Sequence, residues 1–340
     1  MVTELASRPA PVCRVWSRSK IIAEDLTGED LSDVLELHSD ASAWWVLPRE
    51  NHYGAAELKD VASALDLDEL AIKDLLAEDR RAKFETFGQA RLVITNAVVV
   101  NRDRTEIRAV PISMIATDRA LICLVDSTTG FRPAQLLQQS EDALTYGGVE
   151  AALQIVIGAI VNTYQEAVQW LEDSSDELAN VLFEERPLDK LEQLHAFRLR
   201  SSLSQLRRLT DPMRTVMTDI MDNPPPSSKT KNRDGGVGRR WKLVVEQHDR
   251  VANAADALRE ALASVFDTSL ALADVRLNSI MKKLTGWAAI IAVPTLVTSF
   301  VGMNVRFPLV GSAAGFWLYL AIMIVTAVAL YLLFRAKDWI

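Results

Sequence analysis

Apolar and polar residues alternate over residues 10–50, as in Val12-Cys13-Arg14-Val15-Trp16 and Ala43-Trp44-Trp45-Val46-Leu47, and a period of two predicts strands. The spacing turns helical over residues 51–79, in two pieces, with Ala56, Leu58, Val61 and Leu65 in the first and Leu70, Ile72, Leu75 and Leu76 in the second. Strands return from Lys83. Residues 91–100 and 107–115 are β-branched runs separated by the charged turn Asn101-Arg102-Asp103-Arg104, and 119–125 is a further apolar strand. The mixture predicts an α/β domain with a mixed sheet over residues 1–147.

From Gly148 the pattern is helical throughout. Residues 149–179 carry apolar positions at helical spacing, Trp170 among them. Residues 188–221 do the same, with Leu191, Leu194, Leu199, Leu203 and Leu206 as an expected stripe. Asn223-Pro224-Pro225-Pro226 ends that helix and opens an expected mobile loop over 223–238, rich in Pro, Ser, Lys and Gly. The longest pattern then runs from Arg239 to Met303 with no proline before Pro294. About 55 residues at 1.5 Å each make a rod of roughly 80 Å. So long a rod needs other long helices beside it, from this chain or from copies of it.

Two uncharged apolar runs close the chain, 284–303 and 315–334, each as long as an α-helix needs to cross a bilayer core. The predicted organisation is a cytosolic α/β domain (1–147), a helical and stalk region (148–283) and a transmembrane hairpin with a short tail (284–340). Lys282 and Lys283 precede the first run, Arg335 and Lys337 follow the second, and the loop between carries only Arg306. The positive-inside rule then puts both termini in the cytoplasm of a cell-membrane protein. The formal net charge of −8 gives nucleic-acid binding no electrostatic footprint. Cys13 and Cys123 lie far apart in apolar stretches, which suits a reducing compartment, and no signal peptide is expected at the N-terminus.

Counting back from the loop at helical spacing gives one row on the long helix: Thr298, Thr295, Ile291, Ala288, Leu284, Met281, Asn278, Asp274, Ala271 and Asp267. Carboxylates sit deepest, then an amide and a thioether, then aliphatics, then hydroxyls near the outer end. In a symmetric oligomer such a row could line a pore for a hydrated ion. Small residues and Thr could equally serve close helix packing and their own backbone. Gly302-Met303-Asn304 follows at the end of the span. Asn304 offers an uncharged carbonyl acceptor, and a ring of these suits the water shell of magnesium, which dehydrates reluctantly.

These residues resemble the CorA family of divalent-cation channels, whose signature is Gly-Met-Asn at the outer end of the first of two C-terminal spans. Met281-Lys282-Lys283-Leu284-Thr285 is similar to the family's approach to that span, and Pro294-Thr295 to its internal proline. The ending Arg335-Ala336-Lys337-Asp338-Trp339-Ile340 is similar to its basic tail. Residues 65–76 followed by Lys83-Phe84-Glu85 are similar to a helix-then-strand segment of its cytosolic domain. The resemblance implies a CorA-like funnel: a homopentamer whose stalk helices continue as the pore, with Gly302, Met303 and Asn304 as the selectivity filter. It implies a constriction at Asn278, Met281 and Leu284, an acidic funnel position at Asp267, and passive uptake of magnesium, with cobalt or nickel also admitted.

Two departures matter. The outer loop, Val305-Arg306-Phe307-Pro308-Leu309-Val310-Gly311-Ser312, has no acid, where the family commonly carries a Met-Pro-Glu-Leu segment. In the family, carboxylates between neighbouring cytosolic domains bind regulatory magnesium. Here Asp74 matches one, but its acidic neighbour is Lys73 and the stalk position is Leu243, leaving Glu246 and Asp249 as nearby candidates. No enzyme chemistry is expected: His38, His52, His195 and His248 are scattered, and the last two are expected on helix surfaces. Two alternatives stand beside the magnesium channel: a zinc transporter of the same fold, and a membrane-tethered sensor or scaffold.

Overall fold

The structure, a computed structural model, describes residues 12–17, 20–49, 53–77, 81–126, 130–225, 236–303 and 312–339. Contacts divide the chain into two compact units, Met1–Leu178 with Lys190–Ala263, and Ala179–Asp189 with Ser264–Ile340.

The first unit is built on a seven-stranded sheet. Its strands are β1 (Val12–Ser17), β2 (Lys20–Glu24), β3 (Ser42–Pro48), β4 (Lys83–Phe87), β5 (Ala90–Asn101), β6 (Glu106–Ala116) and β7 (Ala120–Val125), in the order β2-β1-β3-β7-β6-β5-β4. β3 and β7 pair in parallel, Trp45 opposite Ile122, and every other pair is antiparallel. The sheet is therefore mixed. β7 is buried along its whole length, as a strand covered on both faces must be.

One face packs on α1 (Gly28–Leu37), α2 (Tyr53–Ala64) and α3 (Glu69–Leu76), in a core that joins Leu31, Leu35, Leu58 and Leu75 to Trp45, Leu92, Ile94 and Ile122. Fully burying each such leucine stabilises the unit by roughly 2 kcal/mol. The other face meets α6 (Lys190–Asp222), where the Thr95 hydroxyl donates to Met213 Sδ at 3.2 Å. β5 outruns β4, which pairs only with Ala90–Ile94. Its free edge is satisfied by α5 (Glu141–Leu182): Tyr164 Oη donates to the Asn96 carbonyl, and Val98 N–H donates to Thr163 Oγ1 at 3.0 Å. Burial pushes the Tyr164 hydroxyl up, away from ionisation.

Several expectations need correction. Residues 28–37 form a helix rather than strand: Leu31, Val34 and Leu35 have i, i+3, i+4 spacing, and Thr27 caps the helix by accepting from Asp30 N–H. α4 (Pro133–Gln139) was not foreseen either; it is too short to show a period. The α6 stripe holds only in part. Leu199, Leu203 and Leu206 are buried, but Leu191 and Leu194 are exposed. His248 is 1% exposed, not a surface residue, because its ring lies between α6 and the long helix α7 (Gly236–Val301), where Nε2 meets the Thr210 carbonyl at 3.0 Å. His52 and residues 226–235 of the expected loop lie outside the described residues.

In the second unit, α7 ends at Val301 and α8 runs Ala313–Ala336, capped by Ser312, whose hydroxyl accepts from Gly315 N–H at 3.1 Å. Among the described residues three helical stretches are long and apolar enough to cross a membrane. Gly147–Leu182 has 56% of its apolar window inside the fold and is a core helix. Of the windows in α7 and α8 only 6% and 0% is buried, so neither apolar stretch is a core helix of this chain.

Candidate functional site

α7 changes character along its length. Trp241 is buried, and from His248 the buried positions Val251, Ala255, Leu258 and Leu262 follow every three or four residues, the stripe of a helix docked on one side. Within the second unit, Ser269 is the last buried position before the apolar span, and its hydroxyl accepts from Leu188 N–H at 3.0 Å. Beyond it the helix loses its partner. Leu270, Val275, Leu277 and Ile280 are 53–67% exposed although they precede the apolar span. Four large aliphatics around so short a length do not suit a helix left in water.

At the span, α8 meets α7 where the Trp287 ring packs on Tyr331. Gly286 is buried, and Ile290, Val293 and Val297 are half-buried. At about 100° per residue these four positions point one way. The row at Leu284, Ala288, Ile291, Thr295, Thr298 and Gly302 points the opposite way, and all six are exposed. Asp267, Ala271, Asp274, Asn278 and Met281 continue the row and are exposed as well. The sequence-predicted row is thus one uncovered face of a single helix.

Its outer end has defined chemistry. Thr295 Oγ1 donates to the Ile291 carbonyl at 2.8 Å, and Thr298 Oγ1 donates to the Thr295 carbonyl at 2.9 Å. Each hydroxyl proton is spent on the helix, so each oxygen presents only lone pairs outward. A hydrated cation turns its water hydrogens outward, and acceptor oxygens are what that shell bonds to. The back-bonding expected of a merely structural Thr is therefore present, and it leaves the oxygen suited to this second use. α7 continues through Pro294, which cannot donate to the carbonyl one turn back. At Gly302 the amide donates to the Thr298 carbonyl at 2.9 Å, and a Cβ would stand 3.1 Å from that same oxygen. The closely wound helix end therefore favours glycine. Met303 is exposed, and Asn304 lies outside the described residues.

The three carboxylates named for regulation lie in the first unit. Asp74, at the end of α3, is held by Lys83 of β4 at 2.9 Å, and Lys83 also meets Glu85 at 3.4 Å. Partial burial pulls the Lys83 ammonium down, but the Asp74 hydrogen bond and the charges of Glu85 and Asp74 outweigh it, and its pKa is raised overall. Asp249 is paired with Arg214 of α6 at 3.2 Å and stands 3.6 Å from His248 Nδ1. Glu246 is exposed. Among the described residues no three His, Cys, Asp or Glu side chains of one chain come together as a metal cluster. The role of Lys83 and Arg214 as internal counter-charges was not read from the sequence. Lys83 was in view there, but only the pairing of α3 beside β4 brings it to Asp74.

A family model described as CorA-like Mg2+ transporter protein matches residues 43–336. The cobalt/magnesium transport protein CorA of Thermotoga maritima is 21% identical over 314 residues, which is 92% of this chain and 87% of that protein. The protein of the same description from Methanocaldococcus jannaschii is 27% identical over 194 residues, 57% of this chain and 59% of that one. The complete structure of the CorA magnesium transporter from Methanocaldococcus jannaschii matches this fold with a TM-score of 0.77 at 20% identity, covering 98% of this chain and 99% of that chain.

Proposed function

This chain belongs to the CorA family of divalent-cation transporters and is a membrane transporter rather than an enzyme, and we propose that it carries magnesium inward through the central pore of a homopentamer. Cobalt and nickel are further candidate cargo. In this reading residues 1–147 form a cytosolic domain, 148–283 a helical and stalk region and 284–340 the membrane hairpin. Both termini face the cytoplasm, since Lys282, Lys283, Arg335 and Lys337 all flank one side of the spans.

The observation that carries the proposal is the uncovered row on α7, turned away from the side covered at Gly286, Ile290, Val293 and Val297. Copies arranged about an axis would turn this row inward and leave α8 outside. The apolar surface around Leu270, Val275, Leu277 and Ile280 would then be covered by neighbouring stalks. Gly302, Met303 and Asn304 would form the outer filter, where neutral acceptors hold a hydrated cation without stripping it. Thr298 and Thr295 would pass it inward over acceptor oxygens. Ile291, Ala288, Leu284 and Met281 would narrow the path with apolar side chains, a constriction that closes by excluding water. Asn278, Asp274 and Asp267 would receive the ion in a negative vestibule that favours cations.

Asp74, Glu246 and Asp249 remain the candidates for regulatory magnesium. With Asp74 neutralised by Lys83 and Asp249 by Arg214, little carboxylate repulsion is left for a bound cation to relieve. We therefore expect weak closure by internal magnesium. The zinc reading is favoured by one observation, the acid-free outer loop with Arg306. Flux into proteoliposomes separates the two: magnesium entry that zinc does not match supports the proposal, and zinc entry without magnesium entry refutes it.

A further inference from the structure

Trp287 of α7 and Tyr331 of α8 pack ring to ring, with centroids 6.4 Å apart and planes tilted by 48°. That contact fixes the level at which the two helices meet. Lys283 precedes Trp287 by about one turn of α7, and Arg335 follows Tyr331 by about one turn of α8. The first helix ascends and the second returns, so both cations lie one turn below the aromatic pair, on either side of the same seam. The Arg335 guanidinium reaches back to the ring, Nη1 donating to Tyr331 Oη at 3.4 Å. Both cations are exposed, and among the described residues neither forms an ion pair with a carboxylate. Lys282 and Lys337 add positive charge at this end, and Asp338 is an exposed acid beside them. The tail folds back here as well: Trp339 N–H donates to the Phe334 carbonyl at 2.9 Å, and the two rings stack with centroids 5.5 Å apart.

Two like charges at one level repel, and an anion between them relieves the repulsion. Directly beyond them the seam is walled by Trp287 and Tyr331 and continues into the uncharged faces of both helices. A free phosphate has no use for such a wall. A phospholipid does, because its headgroup ends where its acyl chains begin. Trp and Tyr also favour the headgroup level, with one end in contact with lipid and the other wet.

We propose that Lys283 and Arg335 bind the phosphate of an anionic phospholipid of the inner leaflet, whose acyl chains lie along the seam beside Trp287 and Tyr331. Basic pockets between spans on the cytoplasmic side take such headgroups. The proposal rests on the reading of α7 and α8 as spans with these ends facing the cytoplasm. It does not depend on which ion is carried.

The test uses the full-length protein in mixed micelles of phosphatidylcholine and phosphatidylglycerol, and measures phosphatidylglycerol retained on the protein by mass spectrometry. Each juxtamembrane cation contributes on the order of fivefold to affinity, so Lys283→Gln or Arg335→Gln should weaken retention about fivefold and the pair about thirtyfold. The charge-keeping pair Lys283→Arg with Arg335→Lys should retain the lipid, which excludes misfolding as the cause. Lys242→Gln, an exposed change in the first unit, should leave retention unaltered. Equal retention by wild type and the double Gln variant overturns the proposal. Displacement of the lipid by soluble glycerol phosphate at matching concentration overturns the lipid assignment in favour of a free phosphate. Ion flux is read separately, so a failed magnesium assay and a failed lipid assay are distinguishable.

Discussion

Leu284→Ala separates a pore-lining residue from a packing residue. Leu284 is 66% exposed on its own chain, on the face turned away from the buried Gly286 and half-buried Val293. Truncating it leaves no cavity within the subunit, and the fold should lose no more than about 0.5 kcal/mol. In a ring of five the consequence is larger. A leucine extends two carbon–carbon bonds of ~1.5 Å beyond Cβ, so each wall retracts by about 2 Å and the ring widens by about 4 Å. That exceeds the ~2.8 Å diameter of a water molecule, and a constriction that held water out becomes wet. A tenfold rise in leak needs only about 1.4 kcal/mol off the barrier. One leucine side chain carries roughly 2 kcal/mol of hydrophobic free energy, and five are removed, so at least tenfold is expected. The assay is magnesium leak into proteoliposomes under conditions that close the wild-type channel, with light scattering to show that assembly is unchanged. Leu296→Ala is the control: it is 71% exposed but rotated about 100° from Thr295, off the row, and should not leak. A Leu284→Ala protein as tight as wild type, or one that leaks no more than Leu296→Ala, refutes the assignment of this face to the pore.

Asn304→Ala should abolish magnesium uptake while leaving the oligomer assembled; wild-type flux from the folded variant would remove Asn304 from the filter. Internal magnesium should close the channel only weakly, and Asp74→Ala should change that little, because Lys83 already neutralises Asp74; tight closure at submillimolar magnesium that vanishes in Asp74→Ala would contradict this, and titrating channel current measures it. Glu150→Ala should cost about 3–5 kcal/mol in thermal or urea unfolding. It removes the 2.6 Å partner of Arg91, a residue 4% exposed, and the 2.9 Å acceptor of the Trp241 indole. Cys13 and Cys123 are buried, and desolvation pushes both thiols up from 9.0 to about 12, so neither should react with iodoacetamide at neutral pH until the fold opens. The folded chain then holds these protons where the unfolded chain releases them, and stability from this source should fall as pH rises from about 9 toward 12, measurable by urea unfolding across that range.

The sequence by itself determined the features that depend on local periodicity. The i, i+3, i+4 order of α7, its row from Asp267 to Thr298 and the two uncharged runs are legible because a helix repeats every 3.6 residues and a bilayer sets a length. The strands β5, β6 and β7 are legible from their β-branched and apolar residues, unbroken in β7, which is buried along its whole length. What the tertiary structure decided is which surfaces are covered and which charges meet. α1 was hidden because ten residues carry barely three turns, and their apolar positions also fit alternation. Leu191 and Leu194 share the period of Leu199 and Leu203, yet burial depends on where the neighbouring element stops, which no period encodes. His248 has the spacing of a buried residue, but its polarity suggested the surface until the Thr210 carbonyl gave its ring a partner. Lys83 and Asp74 are nine residues apart on different elements, and Arg214 and Asp249 lie on different helices. A side-chain pair is set by distance in space, so these counter-charges emerged only when the chain was folded. The same holds for the row on α7: the sequence could align its residues, but only the tertiary structure, which buries Gly286 and half-buries Val293, shows that this face is left free.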